Sequence, residues 1–273
     1  MRVWRCDKRQ ILAVAGVCAV ALMMGSTAWA DEDKEEDGPE GADEIIDRAL
    51  EINTLGFESG RAQVDITIFD RQGERQERKM DVRSRRDDDR GRTVMTLTDP
   101  GEVRGQAFLF IENEDADDDM WMYVPAFEVT RRVEGSQRQS SFMGTHFTFA
   151  DLESRDLREA SYRQKDDGTI GDYDVYVIEA RPDTPEESDY ERVVAYVRQD
   201  DYIPIRVRYY DTDGDLDKTL FTERLNTTGD DDTYIERSTL RSETGGYTTI
   251  EIQELDTDVD LPMSLFDREE FAQ

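Results

Sequence analysis

The sequence predicts a mainly β protein with few helices, built as a curled antiparallel sheet of about ten or eleven strands with an apolar covering segment. Three observations predict it. Apolar and polar residues alternate with period two through most of the chain, short turn signals separate the alternating runs, and large apolar side chains concentrate between residues 108 and 149.

At the N-terminus, Arg2, Arg5, Lys8 and Arg9 precede the apolar run ILAVAGVCAVALMMG, and AWA at 28–30 supplies small residues for cleavage after Ala30. Residues 1–30 therefore read as a secretory signal peptide, since the apolar run is short for a transmembrane helix and acidic sequence follows at once. Cys18 lies in VAGVC, which lacks the leucine and preceding small residue of a lipobox, so lipidation is not expected. Cys6 and Cys18 are the only cysteines, which leaves the processed chain without a disulfide, a thiolate nucleophile or a zinc-thiolate site.

The whole chain has 65 acidic and 34 basic residues, a net charge of −31. Removing 1–30 takes four basic residues and one acidic residue, leaving 30 against 64 and a charge of −34. Phosphate binding needs concentrated positive charge, so no nucleic-acid partner is expected. The acid is spread throughout and the bases are mostly arginine, a surface suited to high salt, where self-repulsion is screened.

Residues 31–41, DEDKEEDGPEG, lack large apolar groups and are expected to be disordered. From Ala42 to the end the sequence reads as one domain with no linker. Ile45, Ile46, Ala49 and Leu50 share a helical face, with Asp43 placed to cap the start and Gly56 following the end. The period then becomes two: Ala62, Val64, Ile66 and Ile68 oppose Gln63, Asp65 and Thr67. The same alternation recurs over 193–197, 203–209 and 248–252. Turn signals stand at 71–73, 87–91, 166–168, 211–214, 227–232 and 243–246.

Six of the eleven phenylalanines, Phe108, Phe110, Phe127, Phe142, Phe147 and Phe149, fall between 108 and 149, with Met120, Met122, Met143 and Trp121. A uniform sandwich core would distribute them more evenly. SFMGTHFTF at 141–149 is too interrupted by Gly144, Thr145 and His146 for an ordinary buried strand, so it has to cover or contact something.

Chemistry-bearing constellations are weak. DTDGDLD at 211–217 has aspartates at alternate positions but Leu216 and Thr222 where a calcium-binding EF-hand loop needs glycine and glutamate, so it reads as a hairpin turn. His146 is the only histidine, and no phosphate loop, nucleophile elbow or zinc-protease helix occurs. The chain is read as a non-enzyme without cofactor or metal.

RGQAFLF (104–110), DMWMYVPAFEVTRRV (119–133) and SFMGTHFTFADLE (141–153) together resemble the core signature of LolA-like outer-membrane lipoprotein-sorting proteins, in the branch associated with resistance-nodulation-division exporters. The resemblance extends to LPMSLFDREEF at 261–271. It implies an incomplete, half-open antiparallel β-barrel of about eleven strands with an N-terminal helix and a helix/loop lid. It also implies a periplasmic carrier of lipoprotein acyl chains or lipids.

Under that resemblance the expected cavity lining is Met95, Leu97, Phe108, Phe110, Trp121, Tyr123 and Phe127, and the expected lid is Phe142, Met143, Phe147 and Phe149. Arg131 and Arg132 are candidates for contact with the lid or an anionic headgroup, with pairing to surface carboxylates as the other reading. Expected partners are lipoprotein or lipid cargo, for a monomer. One alternative is an accessory subunit docking an inner-membrane resistance-nodulation-division exporter without carrying lipid. A second is an outer-membrane β-barrel, which outward charges such as Asp65, Arg206 and Arg208 disfavour.

Overall fold

The computed structural model describes residues 41–51, 57, 59–87, 90–113, 118–153, 157, 159–229 and 233–272. The expected signal peptide, residues 31–40 of the acidic stretch, and Gly56 lie outside the described residues. Helix α1 (Ala42–Glu51) buries Ile45, Ile46 and Ala49, as its periodicity predicts. Its start differs from expectation. The Gly41 carbonyl accepts the Ile45 N–H at 3.1 Å, so Asp43 is not the cap but sits with Glu44 in the first turn, where the helix dipole favours negative charge.

Six strands follow: β1 (Gly60–Phe69), β2 (Arg75–Asp87), β3 (Arg90–Asp99), β4 (Ala107–Ile111), β5 (Asp119–Val124) and β6 (Val129–Arg132). After a segment ending in the short helix α2 (Phe149–Glu153) come β7 (Ala160–Gln164), β8 (Gly168–Ile170), β9 (Tyr173–Pro182) and β10 (Tyr190–Arg198). The chain then forms β11 (Pro204–Asp211), β12 (Leu216–Thr227), β13 (Thr233–Ser242) and β14 (Tyr247–Asp256). All pair antiparallel in one sheet ordered β6-β5-β4-β3-β2-β1-β14-β13-β12-β11-β10-β9-β7, with β8 also on β9. The sheet is open, with β6 and β7 at its ends. The described residues hold fourteen strands rather than about eleven, partly because β6 and β8, with four and three residues, are too short to show a period of two.

One face, the inner, is set by alternation. Ala62, Val64, Ile66 and Ile68 are buried on β1, and Val193, Val207, Tyr209, Ile250 and Ile252 belong to the same core. At the β9–β10 end, Ile178, Ala195 and Val197 continue this face and receive α1. At the β3–β5 end it presents Met95, Leu97, Phe108, Phe110 and Met120. There the opposite face is also covered, by Leu261, Phe266 and Phe271 against Val94, Ala107 and Leu109.

Candidate functional site

The site is built where residues 133–153 cross the inner face. Val133 joins the core, its N–H bonded to the Met120 carbonyl at 2.9 Å. A tight reversal follows: Phe142 N–H donates to the Phe147 carbonyl at 2.8 Å, and Met143 and Gly144 have φ of 53° and 76°. A left-handed pair of this kind reverses the chain within a few residues, which is why Gly144 interrupts the aromatic run. The reversal lets Phe142 and Phe147 both reach the sheet. Phe149 then begins α2, whose entry is fixed by reciprocal bonds: Thr148 N–H to Asp151 Oδ2 at 2.6 Å and Asp151 N–H to Thr148 Oγ1 at 3.1 Å.

The contact with the sheet is aromatic. The Phe142 ring lies 4.9 Å from Phe108 and 5.3 Å from Phe149, both edge-on, the preferred geometry for ring quadrupoles. Phe147 completes the cover. All of them are buried in one cluster with Met95, Leu97 and Phe110, while Met143 is half-buried at its margin.

Polar groups fasten this segment. Lys218 Nζ contacts Asp151 Oδ2 at 2.6 Å, and their side chains are only 5 % and 1 % exposed. Tyr190 donates its hydroxyl to Asp151 Oδ1 at 2.8 Å, and the Lys218 ammonium lies 5.1 Å and 5.4 Å from the Tyr190 and Tyr209 ring centres. A second buried pair joins Arg138 Nη1 to Glu153 at 2.7 Å, and Arg138 Nη2 donates to the Asp118 carbonyl at 2.6 Å. A third attachment is His146, whose N–H donates to Thr248 Oγ1 at 3.0 Å and whose Nδ1 lies 2.9 Å from the same oxygen. Gly246 makes room for that ring: a Cβ there would stand 2.6 Å from both His146 Nε2 and the Phe69 carbonyl.

Burial, reinforced by the Lys218 charge and opposed by a hydrogen bond to the Gly245 backbone, holds the His146 pKa below its ordinary 6.5. The unfolded chain therefore takes up the proton first. The stability contributed by neutral His146 is fully present above about pH 6.5 and is lost as pH falls from there towards the folded value. The protection factors of residues 145–151, exchange measured relative to the intrinsic amide rate at each pH, are expected to fall on acidification through this window, and His146→Gln is expected to flatten that dependence.

The structure brings four of the seven expected lining residues, Met95, Leu97, Phe108 and Phe110, under the covering segment. It does not bring the other three there. Phe108 pairs with Met122 and Leu109 with Trp121, so the inward residues of β5 are Met120 and Met122, whereas Trp121 and Tyr123 point to the opposite face beneath the C-terminal residues. The correction is one residue of register, which moves a side chain across a sheet. Phe127 is 73 % exposed at the β5–β6 connection. Arg131 and Arg132 lie exposed on edge strand β6, Arg132 paired with Asp119 and Glu134.

Trp121 consequently reports on the C-terminal segment, against which it packs and whose Arg268 stands 4.9 Å from its ring centre. Phe271→Ala is expected to red-shift Trp121 emission in the chain lacking residues 1–30, while an acyl chain entering beneath Phe142 leaves the emission nearly unchanged. Steady-state fluorescence checks both.

The residues missed from sequence are Arg138, Asp151, Glu153, Tyr190 and Lys218. One signal was available: Lys218 is in phase with inward-facing Leu220, an ionisable group at a core position.

A family model described as an uncharacterized protein matches residues 89–273. No curated protein matches the chain in sequence. Among solved structures, a domain from Vibrio parahaemolyticus named for outer membrane lipoprotein sorting superimposes with TM-score 0.76 at 24% identity, covering 85% of this chain and 100% of its own. A DUF1329 family protein from Desulfovibrio piger superimposes with TM-score 0.74 at 25% identity, covering 84% and 96%. A LolA superfamily protein from Nitrosomonas europaea gives 0.62 at 20% identity, covering 84% and 99%. The fold is LolA-like.

Proposed function

The chain belongs to the DUF1329 family and has a LolA-like fold, and from that premise we propose that it is a periplasmic carrier that shelters lipoprotein acyl chains or lipids on its inner sheet face for transport towards the outer membrane. The observation that carries this reading is the division of labour in the covering segment. Its seal against the sheet is apolar, with Phe142, Phe147 and Phe149 over Met95, Leu97, Phe108 and Phe110, while separate polar contacts at Asp151, His146 and Arg138 hold it down.

An acyl chain leaving water gains about 0.8 kcal/mol per methylene, so a carrier needs a dry apolar face and a cover that can be exchanged for cargo. The lid rings occupy that face when no cargo is bound. Cargo entry replaces phenylalanine contacts with methylene contacts, a swap between surfaces of similar polarity. Methionines on the same face, Met80, Met95 and Met120, suit a lining that adapts to flexible chains.

Native mass spectrometry with lipid extraction of protein purified from the periplasm tests this reading. Adducts of acyl-chain mass that disappear on solvent extraction are expected. Lipid-free protein that co-purifies with an inner-membrane exporter would instead favour the accessory-subunit role.

A further inference from the structure

The opposite face of the sheet carries a stripe of a different kind. Two adjacent cross-strand rows run over β10–β14 and β1. In one, Arg208, Thr219, Arg241, Tyr247 and Phe69 stand side by side on successive strands. In the next, two residues along each strand, stand Tyr196, Arg206, Phe221, Thr239 and Thr249. Neither row contains a carboxylate, in a chain where 65 of 273 residues are acidic.

The guanidiniums of this stripe are held by rings. Arg206 lies 5.6 Å and 5.5 Å from the Tyr196 and Phe221 ring centres, Arg241 lies 5.4 Å from Phe221, and Arg208 donates to the Tyr196 hydroxyl at 3.2 Å. Among the described residues none of the three has a carboxylate within ion-pair distance. Arg206 Nε is buried without a hydrogen-bond partner. The neighbouring row behaves differently: Arg237 bonds Glu223 and Glu251, each at 2.9 Å, and Lys79 stands 3.7 Å from Asp65. Arg192 and Arg198, which also stack on tyrosines, have Glu191 and Asp201 beside them. Among the described residues, arginines that sit against rings without a carboxylate partner are therefore confined to the stripe, although carboxylates abound.

Stacking fixes the plane of a guanidinium and leaves its N–H edge free for a planar anion. The stripe is narrow along the strands, about 7 Å for two rows, and long across them, about 24 Å over five strand spacings. A flat anionic bilayer would also meet the acidic residues of the bordering row and the repulsion of a chain with net charge −31. A linear ligand as narrow as the stripe avoids the bordering carboxylates and brings far fewer charges into that repulsive field. We propose that this stripe is a docking surface for an extended acidic segment of a partner protein, its carboxylates bonding Arg206, Arg208 and Arg241 and its backbone crossing the strands. Arg208 and Arg241 share a row two strands apart, about 10 Å, the reach of three extended residues. The stripe faces away from the lid, so it can engage while cargo is held.

Fluorescence anisotropy of a fluorescein-labelled peptide with glutamate at every third position, titrated with the chain lacking residues 1–30, tests the proposal. Saturable binding is expected. The triple variant Arg206→Gln/Arg208→Gln/Arg241→Gln should weaken it about tenfold or more, since it removes the charge-assisted hydrogen bonds that dominate the interaction. The corresponding triple lysine variant should fall between, and Arg237→Gln on the paired row should bind as the parent does. Arg241→Gln alone, at an exposed position, gives a measurable loss without risk to the fold, and circular dichroism checks the triples. Equal binding by all variants, binding only to phosphatidylglycerol vesicles, or a stripe-dependent change in oligomeric state in place of peptide binding would each overturn the proposal.

Discussion

Asp151→Ala is expected to cost about 3–5 kcal/mol, the usual effect of leaving one member of a buried ion pair without its partner. The loss has three parts. The Lys218 ammonium, 5 % exposed, loses its contacting carboxylate and keeps the Tyr190 and Tyr209 rings and the more distant charge of Asp189; the Tyr190 hydroxyl loses the Asp151 acceptor; and Thr148 N–H loses the carboxylate that starts α2. The first consequence should be local, because Asp151 ties the covering segment to β10 and β12 and takes no part in a strand ladder. Hydrogen exchange of residues 140–153 is expected to accelerate well before urea unfolds the sheet. Asp151→Leu combined with Lys218→Met removes both charges and should recover much of the stability. A double variant no more stable than Asp151→Ala would show that the pair is not what holds the segment.

Phe142→Asp carries the second large effect. It removes a ring packed edge-on against Phe108 and Phe149 and places a carboxylate in the same cluster. Loss of a buried phenylalanine alone costs about 3–5 kcal/mol, and the charge adds to it unless the segment lifts away. Lifting is the expected response. The ladders from β6 to β7 run without any contribution from residues 141–149, so β-sheet circular dichroism should persist while exchange protection of the segment collapses and retained lipid falls. Cooperative loss of the sheet signal at the same denaturant concentration as the segment would make Phe142 ordinary core.

The fold was legible wherever one face is buried and the other wet. Ala62 to Ile68 shows why: alternation fixes which residues face inward, and the turn at 71–73 fixes where the chain reverses. It was less legible on β4 and β5, where both faces are covered. AFLFI and DMWMYV are apolar at consecutive positions because the inner core lies on one side and Leu261, Phe266 and Phe271 lie on the other. Period two then carries no phase, so nothing in DMWMYV shows that Trp121 and Tyr123 face the C-terminal residues rather than the expected cavity. The lid was readable as concentrated phenylalanine in an acidic chain. Its fastenings were not, because Asp151 meets Lys218 across 67 residues and His146 meets Thr248 across 102, pairings that only the strand order creates.

Cargo is proposed to reach the inner face by exchange with the covering segment. The most direct test uses cysteines at His146 and Thr248, which contact each other across the lid and sheet, in a chain whose only native cysteines, Cys6 and Cys18, fall within the removed residues 1–30. Bridging the two with a short reducible thiol cross-linker holds the lid shut, and uptake of a fluorescent fatty-acyl probe is measured before and after reduction. Exchange predicts negligible uptake by the bridged protein and full recovery on reduction. Equal uptake in the two states would contradict it.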